Sequence, residues 1–85
     1  MGDCAVTLKV SVENMERIDD VMEGIKKIGI GRLAKIDTEE IGFGIKVIKA
    51  VFIIPDKEGE MTKLEQAVKS VEYVSEVDTV DVNLI

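Results

Sequence analysis

Four stretches of alternating apolar residues and two stretches with a three-to-four-residue apolar period, in the order β-α-β-β-α-β, predict an α+β fold. Two right-handed crossovers around a central hairpin then give a four-stranded antiparallel sheet in the order 4-1-3-2, with both helices on one face. This is the ferredoxin-like sandwich. A glycine pair between the two middle strand patterns supplies the third observation, because it marks the turn that makes them a hairpin.

The elements follow in order. Val6, Leu8, Val10 and Val12 share one face of a first strand, with Thr7, Lys9 and Ser11 on the other. Met15, Ile18, Met22 and Ile25, with Val21 and Ile28 beside them, line one face of an amphipathic helix. Asn14 is its expected N-cap, Glu16, Asp19 and Asp20 suit its positive end, and Lys26 and Lys27 its negative end. Gly29 and Gly31 are expected to stop it. Strands follow at Leu33 to Glu40 and Ile45 to Ile54. In the latter, Ile48, Ala50, Phe52 and Ile54 face the core, leaving an unusually apolar outer set of Val47, Val51 and Ile53. After the turn Pro55 to Gly59, Thr62 with Glu65 three residues on reads as a capping box for a second helix lined by Leu64, Ala67, Val68 and Val71. Val80, Val82 and Leu84 lie in phase on a last strand.

Eighty-five residues make a single domain, residues 1–85, with no room for a second core. Aromatics are limited to Phe43, Phe52 and Tyr73, so Val, Ile, Leu and Met must build the interior. Cys4 is the only cysteine, which excludes an internal disulfide and suits a reducing, cytoplasmic setting. No apolar run reaches the roughly 20 residues of a membrane span, and the start lacks the basic and apolar stretches of a signal peptide. A net charge of −6 disfavours a nucleic-acid backbone as partner. The charge is uneven: between Lys26 and Lys49 six basic residues face three acidic ones, and the rest of the chain is strongly acidic. A solvated strand face or a match to an acidic or phosphate-bearing partner both account for that segment.

Chemistry of bond making is absent from the pattern. With no histidine, the commonest general base and metal ligand is missing, and the many carboxylates fall at turns and solvent-facing positions. No metal site or cofactor is expected, and no enzyme. Gly29-Ile30-Gly31-Arg32 follows a helix and precedes a strand, the wrong order for a phosphate-binding glycine loop. Cys4 is expected before the first strand as a small buried or terminal thiol, since Lys9 is its one activating candidate.

The most distinctive stretch is Ile41-Gly42-Phe43-Gly44-Ile45-Lys46, an aromatic residue between two glycines at a hairpin tip. Phe43 either projects as an anchor for another protein or folds back to close one end of the core. This stretch, the run on to Ile54 and Asp56, the opening Val6 to Val10 and the closing Val80 to Ile85 resemble the exchange-factor domain of the elongation factor 1-beta family. The short form that opens Met1-Gly2-Asp3 resembles its archaeal branch.

That resemblance implies a guanine-nucleotide exchange factor that acts on the GTPase elongation factor 1-alpha in translation elongation, a monomer when free, with no direct contact to nucleic acid or membrane. It implies that Phe43 inserts into the GTPase, that Gly42 and Gly44 shape the turn, and that Ile41, Ile45 and Lys46 extend the contact. Asn83, Leu84 and Ile85 form the implied second contact. Eukaryotic members carry a lysine just before the final residue, where this chain has Leu84, so Lys46 or Lys49 supplies a cation instead or exchange is steric. The runner-up is a small regulatory or scaffold domain that associates through Val47, Val51 and Ile53 on the open sheet face.

Overall fold

The computed structural model describes residues 2–85. Strand β1 (Asp3–Val12) leads through a 3-10 turn (Met15–Arg17) into helix α1 (Ile18–Lys26); β2 (Arg32–Gly42) and β3 (Ile45–Pro55) form the hairpin, and α2 (Glu60–Lys69) precedes β4 (Val74–Leu84). The sheet order is β2-β3-β1-β4, the predicted 4-1-3-2 read from its other edge, and every pairing is antiparallel. The ferredoxin-like expectation holds.

The strict alternation of β1 places Cys4, Val6, Leu8, Val10 and Val12 inward. Across the β1–β3 ladder they meet Ile54, Phe52, Ala50 and Ile48, so two central strands supply most of the interior. Val21 and Ile25 of α1 and Leu64 and Val68 of α2 close it from the helix side. Among the described residues Phe52, Leu8, Ile25, Ile48 and Leu64 are the largest fully buried side chains, and no polar side chain is buried. Dense aliphatic packing of this kind replaces the staples that small chains often need.

Several local expectations change. Asn14 accepts from the Glu16 amide at 3.0 Å, so it caps the 3-10 turn rather than α1 itself. Helix α2 starts at Glu60 behind Gly59, which takes φ 87; Thr62 lies inside the first turn and caps nothing. A left-handed glycine reaches the helix start from a tight turn, a local geometry that the Thr-Glu spacing could not reveal. Gly31 does more than interrupt a helix. It has φ +65, and a Cβ there would stand 2.5 Å from the Ile53 carbonyl oxygen, so only glycine lets the chain enter β2 this close to β3. Cys4 lies within β1, not before it. Burial, with help from the Asp56 and Asp3 carboxylates, pushes its thiol above the ordinary range, in keeping with the buried, inert thiol expected there.

Candidate interaction site at the hairpin tip

The glycine-flanked stretch forms the end of the β2–β3 hairpin. Phe43 and Gly44 take φ 53 and φ 74 between the paired residues Gly42 and Ile45. Left-handed angles at both turn positions match the twist of the flanking strands, which is why two-residue hairpins favour them. Glycine adopts them freely, whereas an L-residue with a Cβ pays roughly 1–2 kcal/mol. A register shift between Glu40 and Gly42 leaves Ile41 as an extra residue in a bulge beside the turn.

Phe43 projects. Its side chain is 104% exposed, touching nothing that would repay the strain, and Ile41 and Ile45 flank it as further exposed apolar residues. The tip also overhangs the sheet. Pairing of β1 with β3 ends at Val10–Ile48, whereas pairing of β2 with β3 continues to Gly42–Ile45. Beyond Ile48 the hairpin is two-stranded.

The other expected contact residues lie elsewhere. Leu84 pairs with Cys4, which pairs with Ile54, nine residues along β3 from Ile45. At about 3.3 Å per residue that separates the two groups by roughly 30 Å, along a molecule whose longest dimension is 42 Å. The structure therefore brings Ile41 to Lys46 together at one end and Asn83, Leu84 and Ile85 together at the other. Leu84 and Ile85 are each 72% exposed, and Val80 and Val82 extend the same edge as an apolar strip. Lys46 sits at the wrong end to supply a cation beside Leu84. Lys49 is on the outer sheet face, 3.8 Å from Glu39. Lys57 follows β3 at the same end of the sheet as Leu84, where the Asp56 amide bonds the Gly2 carbonyl and the Ile85 amide bonds the Asp3 carbonyl.

The outer sheet face is less apolar than the sequence implied. Val47 is only 4% exposed and Val51 and Ile53 are half-buried. Cross-strand pairing sets Val47 against Glu39, Val51 between Thr7 and Lys35, and Ile53 between Ala5 and Arg32. No three metal-ligating side chains converge among the described residues, and no helix of theirs is long and apolar enough to cross a membrane.

Comparison with solved structures returns the same architecture. The ACT domain from the GTP pyrophosphokinase of Chlorobium tepidum superposes with a TM-score of 0.65 over 92% of this chain and 99% of that one, at 14% identity, a likeness of fold alone. Sequence comparison goes further. Elongation factor 1-beta of Thermoplasma acidophilum is 38% identical over the full length of both chains. Elongation factor 1-beta of Methanosphaerula palustris is 30% identical over 99% of each. Residues 5–85 match the model of the EF-1 guanine nucleotide exchange domain. With archaeal relatives covered end to end and the family model spanning all but the first residues, this chain belongs to the EF-1 guanine nucleotide exchange domain family.

Proposed function

We propose that this chain binds the GTPase elongation factor 1-alpha and accelerates its release of GDP, so that GTP can load for the next round of translation elongation. The observation that carries the reading is Phe43: a fully exposed aromatic ring in a strained left-handed conformation at the tip of an overhanging hairpin. In the free chain that arrangement costs stability and gains no contact, the signature of a residue held for a partner. Membership of the EF-1 guanine nucleotide exchange domain family supports a partner of this kind.

The work requires no bond chemistry. An exchange factor binds the nucleotide-free GTPase more tightly than the GDP-bound form, and by reciprocity it weakens GDP by the same factor. Loss of one charge-assisted contact to the nucleotide costs about 1.5–3 kcal/mol, roughly ten- to hundredfold in affinity. In this reading Phe43 wedges into the GTPase, Gly42 and Gly44 hold the turn, Ile41, Ile45 and Lys46 widen the contact, and Asn83, Leu84 and Ile85 touch a second area roughly 30 Å away. Leu84 acts there by shape, not charge. The chain acts as a monomer in the cytoplasm, without a cofactor of its own, and its net charge of −6 keeps it off nucleic acid.

The test is release of a fluorescent GDP analogue from elongation factor 1-alpha of the same source. Wild type is expected to accelerate release, and Phe43→Ala to lose about a hundredfold of that acceleration, in line with a hot-spot aromatic. Absence of acceleration by folded wild type at saturating concentration sinks the reading.

A further inference from the structure

The overhang poses a mechanical problem: an isolated two-stranded hairpin is marginal in water, yet a wedge must hold its angle. The Lys46 amide, beyond the last β1–β3 pair, donates to the Met15 Sδ at 3.3 Å across 31 residues of sequence. Among the described residues this is the one hydrogen bond outside the strand ladders that reaches residues 41–47. A thioether is a weak acceptor, but here it stands where a third strand would have offered a carbonyl.

Met15 is itself well placed to serve as a bracket. Its side chain packs against the core. Its 3-10 turn is fixed from both sides, by Asn14 capping Glu16 and by the Arg17 guanidinium 5.5 Å over the Tyr73 ring. Tyr73 in turn takes φ 71 and accepts the Glu13 amide at 2.8 Å, which ties the exit of β1 to the entry of β4. From this chain of contacts we infer that Met15 is a positioning residue for the Phe43 hairpin, replacing the missing strand beside Lys46 and fixing the angle at which the tip meets its partner. The inference rests on the exchange reading for its functional half only.

The experiment compares wild type, Met15→Leu, which keeps apolar bulk and removes the acceptor, and Met15→Gln, which restores an acceptor of similar reach. Amide hydrogen exchange of the free chain is read at Lys46, with Phe52 as the internal control, and GDP release is measured in parallel. Met15→Leu is expected to speed exchange at Lys46 several-fold, up to about tenfold, to leave Phe52 unchanged, and to slow GDP release several-fold. Met15→Gln is expected to recover both. Unchanged protection at Lys46 in Met15→Leu overturns the anchor, and a loosened hairpin with undiminished GDP release overturns its role in positioning. Should wild type fail to accelerate release at all, the exchange reading falls by itself, and protection at Lys46 still decides whether Met15 holds the hairpin.

Discussion

At one end of the sheet Phe43 stands exposed on a left-handed turn; at the other Leu84 stands exposed on a regular edge strand. Both are large apolar residues in water, but the reasons differ. Leu84 shares a face with buried Cys4 and is left open because β4 is the last strand, so its exposure needs no strain. Phe43 is open because the backbone has been forced into a conformation in which it has no neighbour. Exposure alone is weak testimony, since folded proteins expose much apolar surface anyway. Exposure combined with a backbone cost is a stronger mark of a partner contact than exposure at an edge strand.

That contrast can be broken or sharpened in order of expected size. Measured side by side on GDP release, Phe43→Ala is expected to cost about a hundredfold and Leu84→Ala no more than about tenfold; equal losses would erase the distinction between the ends. Two glycines offer the next contrast, by chemical denaturation. Gly31→Ala meets both a positive φ and the Ile53 carbonyl, whereas Gly44→Ala meets only the positive φ, with nothing within 4 Å. About 2–4 kcal/mol is expected for the first, and about 1–2 kcal/mol for the second. Smaller again, Phe43→Asn is expected to raise stability by about 0.5–1 kcal/mol while abolishing exchange, because asparagine tolerates the left-handed region better. A destabilised Asn variant would show that the ring supports the fold after all.

The smallest effect reports on the Leu84 end through Cys4. Its folded thiol titrates above the ordinary value near 9.0, so the neutral form is favoured in the native state. The resulting stability is complete below the unfolded value and is lost as pH rises through the raised folded one. Alkylation at pH 8 should accordingly track opening of the β1–β4 edge, and prompt reaction of the native chain would show that this end is looser than its pairing implies.

The fold was legible because each element carries its own period: β1 alternates over its whole length and α1 repeats every three or four residues. Phe43 was legible as a choice between projecting and folding back, and three-dimensional placement was needed to decide it. Other features were hidden in principle. Met15 has the spacing of a core residue on α1, and nothing local points to Lys46, 31 residues away. Val47 alternates with buried residues and so reads as outward, yet it is covered. Thr62 and Glu65 have capping-box spacing, but Gly59 starts the helix earlier; Glu65 instead accepts the Thr79 hydroxyl at 2.8 Å and pins α2 to β4. The separation of the two groups expected to make contact follows from strand direction, which motifs do not encode.

The premature end of the β1–β3 ladder also imposes a parity rule on the length of the tip. Beyond Ile48 the hairpin is free of a third strand, so residues can be inserted there without disturbing the sheet. One added residue on each strand advances the turn by about 3.3 Å but turns its side chain to the opposite face; two on each advance it by about 7 Å and restore the face. Reach and facing are therefore not independent quantities in this molecule, and a longer tip that still presents the same face is available only in even steps.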